Sequence, residues 1–220
     1  MAWYAKPKLF WISKFNFKFL HASKNLYNYF CINGGKYAIL SGSSAECNLK
    51  SKVIKEEDFE KILFQSRYEI SKYLLMKYVQ KISKIFDTKY AWVRIFWTYG
   101  PNQPRGKIIS DLTFSIKKNQ KFIIKNRLDS INLLHVKDIA EAIFRVNHSQ
   151  LTGIINIASK KNFKIYEIFQ KTKLKTLKKI IQLKIKNKKF LFNNIVIKKL
   201  KKIGFYEKYC VIQYLNSLIK

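Results

Sequence analysis

The stretch RYEISKYLLMKYVQKISKIFDTKYAWVRIF, residues 67–96, contains two neighbouring segments with different hydrophobic patterns. In residues 67–86, apolar side chains recur every three or four positions, which predicts an amphipathic helix. The predicted apolar face consists of Ile70, Leu74, Leu75, Tyr78, Val79 and Ile82. Residues 90–96 form an apolar run, interrupted by Arg94, that is rich in aromatic and β-branched side chains, and this predicts a buried strand. A helix followed at once by a buried strand indicates half of a βαβ unit.

The same alternation of helix and strand continues in both directions. Upstream, residues 16–32 predict a helix that ends at Gly34, and KYAILSGSS, residues 36–44, predicts a buried strand. The predicted downstream elements are a helix over 107–118, strands over 121–125 and 131–136, a helix over 138–146 with Asp138 as its N-cap, a strand over 153–159, and two short helices around Gly204. This order predicts an α/β fold with a mainly parallel sheet.

The composition combines a folded chain with an unusual charge. Apolar residues make up 48% of the sequence, which is typical of a chain with a core. The formal net charge of +31 raises the alternative of a basic nucleic-acid-binding protein. However, only five of the 44 basic residues are arginines, and arginine is the preferred reader of phosphates and base edges. We therefore interpret the charge as a compositional bias toward lysine and expect nucleic acid not to be the partner.

Several other classes of protein are disfavoured. The three cysteines, Cys31, Cys47 and Cys210, form no Cys-x-x-Cys pair, so neither a disulfide framework nor a metal site is predicted. No apolar run approaches the roughly 20 residues that span a bilayer. The aromatic N-terminal segment is interrupted by lysines, unlike a signal peptide, although a helix lying on a membrane surface is an alternative to core packing. We expect a cytoplasmic protein.

Tyr68 and Lys72 lie four residues apart at the start of the predicted helix, so they share one face. A nearby cation stabilises a phenolate and lowers the tyrosine pKa, which suits acid/base chemistry on a hydroxyl group. The alternative is a surface tyrosine that packs on a lysine stem. Tyr73 and Lys77 have the same spacing, so the pair alone is not specific.

Five motifs occur in an order that resembles the extended short-chain dehydrogenase/reductase family, specifically its NAD-dependent epimerase/dehydratase group acting on nucleotide sugars. These motifs are AILSGSSAEC at 38–47, YEISK at 68–72, WVRIFWTYGPNQ at 92–103, LLHVKDIAEAI at 133–143 and GIINIAS at 153–159. They are similar to the family's serine/threonine signature, its Tyr-x-x-x-Lys, its Tyr-Gly-Pro loop, its His-Val-x-Asp segment and the following strand. AWYAKP, residues 2–7, is similar to the turn after strand four in some members.

The resemblance implies a role for several residues. Ser44 would hydrogen-bond the sugar hydroxyl or keto oxygen, and Ser43 is the neighbour that competes for this role. Tyr68 would be the catalytic acid/base, and Lys72 would hold the nicotinamide ribose and lower the Tyr68 pKa. Ala2 would lie beside the cofactor. The implied cofactor is NAD or NADP, and the implied substrate is a nucleotide sugar.

The resemblance also implies a partial Rossmann-like parallel sheet. The seven glycines do not form G-x-x-G-x-x-G, so the first strands and the glycine-rich turn, roughly 60 residues, would be absent. Residues 1–125 would be the truncated NAD(P)-binding domain. Residues 126–220 would be a small C-terminal substrate region, interleaved with the Rossmann part.

Two departures from the family pattern concern the substrate. Ile131, Asn132 and Leu133 stand where the family usually has Arg-Asp-aromatic, and Arg127 is a displaced candidate for the lost arginine. Trp97 stands where many members have an asparagine that contacts the nucleotide sugar. Trp97 and Arg127 are nevertheless the predicted substrate-binding residues.

Three functional hypotheses follow. In the first, the protein is an NAD(P)-dependent nucleotide-sugar epimerase/dehydratase-like enzyme, completed by a missing N-terminal part and using the Tyr-Lys pair for hydride transfer. In the second, it is an inactive fragment or half of a split enzyme. In the third, it is a basic nucleic-acid-binding protein. The expected protein partners are a second copy of the chain or an upstream N-terminal fragment.

Overall fold

The computed structural model describes residues 3–4, 6, 9–49, 51–57, 63–118, 120, 122–124, 130–172, 181–183 and 194–218. The helices are α1 (Phe15–Ile32), α2 (Arg67–Phe86), α3 (Ile108–Lys117), α4 (Val136–His148), α5 (Ile165–Gln170), α6 (Lys198–Lys202) and α7 (Val211–Ser217). The strands are β1 (Tyr37–Ser43), β2 (Val53–Ile54), β3 (Lys89–Ile95), β4 (Thr98–Tyr99), β5 (Phe122–Ile124), β6 (Ser130–Asn132), β7 (Leu134–His135), β8 (Gly153–Ile157), β9 (Asn162–Lys164), β10 (Ile181–Leu183) and β11 (Asn194–Ile195). A single 3-10 turn, Ser44–Glu46, follows β1.

The central sheet confirms the predicted α/β class. Its strand order is β1-β3-β8, and both pairings are parallel. Because parallel neighbours need a crossover connection, α2 runs back along the sheet between β1 and β3. Within the described residues, β1 pairs with no other strand, so its second edge is open there. This arrangement agrees with the predicted partial sheet.

Helices cover both faces of this sheet. On one face, Trp92 of β3 and Ile154 of β8 pack with the apolar side of α2, including Met76 and Val79. Helix α1 lies on the same side, and the Tyr27 hydroxyl of α1 lies 2.6 Å from the Ser83 hydroxyl of α2. On the other face, α4 and α6 cover the alternate residues of the strands. The two-sided burial explains why β3 and β8 read as continuous apolar runs.

A second cluster of buried side chains lies beside the sheet. Tyr99, Leu112 and Leu133 pack there with residues of α5 and α7. The cluster therefore brings residues next to the short strands that follow β3 together with helices α5 and α7 of the C-terminal region. The predicted domain boundary between residues 125 and 126 lies outside the described residues.

Three local predictions differ from the structure. Helix α4 begins at Val136 with His135 as its N-cap, so Asp138 lies in the first turn and its carboxylate instead accepts the backbone N–H groups of Lys208 and Tyr209. The strand predicted over 131–136 is divided into β6 and β7. Leu74, predicted to lie on the apolar face of α2, is 40% exposed, whereas the neighbouring Leu75 and Met76 are buried.

In the described part of the chain, no helix has the length and apolarity that a membrane span requires. Cys31, Cys47 and Cys210 form no disulfide bond. Among the described residues, no group of three potential ligands comes together as a metal site.

Candidate active site

A cavity of about 280 Å³ opens at the carboxyl ends of β1 and β3. Ligands of open α/β sheets bind beyond this edge, because the loops that follow parallel strands meet there. Four side chains predicted from the sequence line the cavity: Ser43, Ser44, Tyr68 and Trp97. Lys72 lies one helical turn beyond Tyr68 and is buried, outside the cavity lining. The predicted residues Ala2 and Arg127 lie outside the described residues.

Ser43 is the last residue of β1 and the N-cap of the 3-10 turn. Its Oγ accepts the Ala45 N–H at 3.2 Å, and its own N–H donates to Glu46 Oε1 at 2.6 Å. The nearby Ser43 hydroxyl also favours the Tyr68 phenolate and so lowers the Tyr68 pKa, against the larger effect of burial. Ser44, the predicted residue, lines the same cavity. Both serines are therefore candidates for the hydroxyl that acts together with Tyr68.

Tyr68 lies in the first turn of α2, which the Ser66 hydroxyl caps by accepting the Glu69 N–H at 3.2 Å. Burial raises the Tyr68 pKa, the neighbouring Ser43 hydroxyl lowers it, and the negative charge of Glu46 raises it further. The net shift is upward, whereas the sequence led us to expect a pKa lowered by Lys72. Desolvation of the phenolate therefore outweighs the stabilising interactions in this arrangement.

Lys72 is only 4% exposed, and its ammonium group has contacts on two sides. Nζ donates to the Ser41 carbonyl oxygen at 3.0 Å and lies 4.0 Å from the centroid of the Trp3 ring. Burial lowers the Lys72 pKa to about 8, and the charge of Glu46 opposes this shift. The side chain predicted to hold a ribose thus contacts groups of the chain itself.

The aromatic N-terminal segment covers Tyr68. Three rings surround the Tyr68 ring edge-on, with centroid distances of 6.4 Å for Trp3, 5.1 Å for Phe10 and 5.5 Å for Trp11. The backbone N–H of Tyr68 also donates to the Trp11 carbonyl oxygen at 3.2 Å. The fully buried Asn16 holds the segment in place, because its side chain accepts the Trp3 indole N–H and donates to the Phe10 carbonyl oxygen.

The far wall of the cavity is mainly apolar. Trp97 and Ile131 lie on this wall, together with Gln103, which donates to the Thr98 carbonyl oxygen at 2.8 Å. Lys107, the N-cap residue of α3, supplies an exposed cation at the same wall. Gln103 and Lys107 were not predicted as site residues. Both residues closely follow the Tyr-Gly-Pro motif in the sequence, and this position could have identified them as candidates.

A buried charged cluster beneath the cavity was also not predicted. Glu46 and Arg94 are each 1% exposed, with 3.6 Å between Glu46 Oε2 and Arg94 Nε. The indole N–H of Trp92 donates to the same carboxylate oxygen at 2.7 Å. Arg94 is a charged residue inside the apolar run YAWVRIF. Because a buried charge requires a partner, this pattern could have predicted the charged cluster.

A sequence model described as "NAD dependent epimerase/dehydratase family" matches residues 14–158. No curated protein matches the sequence significantly. The fold is similar to that of RMD from Pseudomonas aeruginosa complexed with NADPH, at 17% identity and a TM-score of 0.77, covering 100% of this chain and 78% of that one.

Two further solved structures are similar. dTDP-glucose 4,6-dehydratase from Bacillus anthracis in complex with NAD has 20% identity and a TM-score of 0.75, over 92% of this chain and 68% of that one. UDP-N-acetylglucosamine 4-epimerase from Methanobrevibacter ruminantium M1, in complex with UDP-N-acetylmuramic acid, has 22% identity and a TM-score of 0.71, over 90% and 66%. At these identities the similarity shows the fold.

Proposed function

The chain belongs to the NAD-dependent epimerase/dehydratase family, and from this premise we propose that its cavity binds a nucleotide sugar for hydride transfer to and from NAD or NADP. The observation that carries the proposal is that the Ser43, Ser44 and Tyr68 side chains line one cavity beyond the carboxyl end of β1. Two hydroxyl groups that share one cavity wall can contact the same oxygen atom of a sugar. Lys72, one turn along α2, places a cation on the same helix face.

The proposed chemistry assigns a proton-transfer role to Tyr68. In its phenolate form, Tyr68 takes the proton of the sugar hydroxyl while the hydride on the same carbon would pass to a bound nicotinamide, which leaves a carbonyl; in the reverse direction the phenol returns the proton. Ser44 or its neighbour Ser43 donates a hydrogen bond to the same sugar oxygen and holds it in place. Since burial raises the Tyr68 pKa, the reactive arrangement requires the Lys72 charge to face the phenol.

The residues fit one end of the cofactor. A bound nicotinamide would supply the hydride acceptor. The Tyr68 hydroxyl, and the Lys72 ammonium once Trp3 is displaced, would be suitable partners for its ribose hydroxyl groups. The pyrophosphate end lacks its usual binding motif, since the sequence contains no G-x-x-G-x-x-G. Lys107 and the polar atoms of Gln103 and Thr98 are the groups of the far wall that suit a nucleotide sugar.

A second candidate function is an inactive fragment or half of a split enzyme. Two observations favour it: the open edge of β1 within the described residues, and the Trp3 ring that covers Lys72. An upstream polypeptide with a parallel strand and a glycine-rich turn would pair with β1 and supply the pyrophosphate site.

Cofactor binding and reduction test these two functions. The protein is titrated with NAD and NADP and then incubated with UDP- and dTDP-sugars, while reduced nicotinamide is followed at its absorbance band. We expect cofactor binding and a transient, single-turnover sugar-dependent reduction in the wild type, and loss of this reduction in Tyr68→Phe. Tyr73→Phe is the matched control, because Tyr73 and Lys77 have the same spacing on α2 outside the cavity. Absence of cofactor binding in the wild type would support the fragment instead.

A further inference from the structure

We propose that the outer side of the N-terminal segment is a docking surface for an anionic lipid membrane. The surface consists of the exposed apolar side chains of Leu9, Trp11, Ile12 and Phe15, which we call the N-terminal patch, and of the cations beside them. The inference goes beyond the proposed function, since it needs neither a cofactor nor a sugar.

The N-terminal patch concentrates large apolar side chains on the protein surface. Ile12 is 62% exposed, Phe15 is 50% exposed, Leu9 is 45% exposed and Trp11 is 38% exposed. Apolar residues that are exposed singly are normal on protein surfaces, whereas neighbouring ones indicate an interaction site. Four of them within residues 9–15 therefore favour a binding surface.

Hydrogen bonds hold the backbone of the patch against the rest of the protein. The Ile12 carbonyl oxygen accepts a hydrogen bond from the Arg67 side chain, and the Trp11 carbonyl oxygen accepts the Tyr68 N–H at 3.2 Å. Both donors belong to the first turn of α2. The patch is therefore formed before any partner binds, so binding does not have to include the cost of ordering it.

Core packing accounts for only one side of this segment. Phe10 packs edge-on against Tyr68, with 5.1 Å between the ring centroids, and Asn16 is fully buried below it. Leu20, one turn further along α1, is also buried. The side chains of the patch lie at the alternate positions and keep much of their surface in water. The two alternatives left by the sequence, core packing and a membrane surface, are therefore compatible.

The charges near the patch favour an anionic partner. Residues 1–45 contain six lysines and neither aspartate nor glutamate. Lys14 and Lys18 are exposed, and Lys18 Nζ lies 5.4 Å from the centroid of the Phe15 ring. Arg67 adds a further cation at the Ile12 carbonyl. Lysines beside exposed aromatic and aliphatic side chains are typical of surfaces that bind anionic lipids, because the apolar groups enter the headgroup region while the cations contact the phosphates.

Other occupants fit this surface less well. A second copy of the chain carries the same net charge of +31, so association would bring like charges together. A nucleic acid would pair with the lysines but has no apolar layer to receive Leu9 and Ile12. Tryptophan, present here as Trp11, prefers the interface between membrane and water. Since no helix of the described residues is suited to span a bilayer, the contact would be peripheral.

The test measures cosedimentation of the protein with vesicles of phosphatidylcholine, or of equal parts phosphatidylcholine and phosphatidylserine. The patch variant carries Ile12→Ser and Phe15→Ser. The matched control carries Ile32→Ser and Ile85→Ser, since these side chains are 59% and 60% exposed at the other ends of α1 and α2. Neither variant changes the net charge. We expect the wild type and the control to bind the anionic vesicles equally, and the patch variant to bind at least about tenfold more weakly.

Equal binding of all three proteins would show adsorption through net charge, and it would overturn the proposal. No binding of the wild type to anionic vesicles would also overturn it. If the patch variant instead changes only the oligomeric state, measured by analytical ultracentrifugation, the patch belongs to an interface between copies and the proposal is wrong.

A second readout uses single substitutions, so it does not depend on how the double variant folds. Brominated phosphatidylcholine in the anionic vesicles should quench part of the tryptophan fluorescence of the wild type. Trp11→Phe should remove much of the quenched part, whereas Trp97→Phe, inside the cavity, should leave it unchanged. Equal quenching in the two variants would contradict insertion of the patch into the membrane surface.

Discussion

The indole ring of Trp3 lies over the ammonium group of Lys72, with 4.0 Å between Nζ and the ring centroid. The same Nζ donates to the Ser41 carbonyl oxygen, and the Trp3 indole N–H is held by Asn16. A ligand that contacts Lys72 from this side therefore has to displace Trp3. The N-terminal segment thus covers Lys72, and the displacement of Trp3 can be measured.

We expect Trp3→Ala to make Lys72 more reactive toward an amine-specific acylating reagent. A cation–π contact contributes about 0.5–2 kcal/mol, so the labelling rate should rise roughly two- to thirty-fold. The rate is measured by mass spectrometry of the peptide that contains Lys72. Trp11→Ala is the control, because Trp11 packs against Tyr68. Equal rates in the wild type and Trp3→Ala would contradict the role of Trp3 as a cover.

Ser43→Ala and Ser44→Ala separate the two candidate serines. Loss of a side-chain cap costs about 1 kcal/mol, so we expect Ser43→Ala to lower the free energy of unfolding by this amount and Ser44→Ala to lower it less. Turnover should fall about a hundredfold in Ser43→Ala if its hydroxyl stabilises the developing charge on the sugar oxygen. Urea denaturation and cofactor reduction measure the two effects. The reverse ranking would restore Ser44 as the functional residue.

The stability of the protein should rise with pH through the titration of Lys72. Its pKa falls from an ordinary 10.5 to about 8 in the folded chain, so the native state loses the proton first. Between these values the unfolded state binds more protons, and the free energy of unfolding increases with pH. The gain is on the order of 3 kcal/mol at most. Urea denaturation from pH 7 to 10 should show this rise in the wild type, and Lys72→Met should lack it.

If the protein binds nucleic acid, we expect the affinity to depend on its net charge rather than on a particular surface. Lysines at 160, 161 and 201 line a groove of about 920 Å³. Replacing these three with glutamine should reduce the salt dependence of binding by the same amount as replacing three exposed lysines of α2, at 77, 81 and 84. Fluorescence anisotropy with a labelled single strand measures both slopes. A much larger loss from the groove variant would instead identify a specific nucleic-acid-binding surface.

The sequence predicted the elements around the site well. Helices α1 and α2, strands β1 and β3 and the parallel order of the sheet follow from hydrophobic period and element spacing. Those signals depend on backbone geometry within a few residues, so they can be read locally. The spacing of Tyr68 and Lys72 likewise placed both side chains on one helix face. The order of five motifs implied, through the family resemblance, that Ser44, Tyr68 and Lys72 belong to one site.

The sequence alone determined which elements form and that Ser43, Ser44, Tyr68 and Lys72 belong to one region. The tertiary structure decided how these residues are arranged: Ser43, Ser44 and Tyr68 line one cavity, Trp3 covers Lys72, and Glu46 pairs with Arg94. The physical reason is that these contacts join residues far apart in the chain, and the pKa of each group depends on the resulting burial and neighbouring charges. The hydrophobic period of a sequence contains no information about these long-range contacts or about the resulting pKa values.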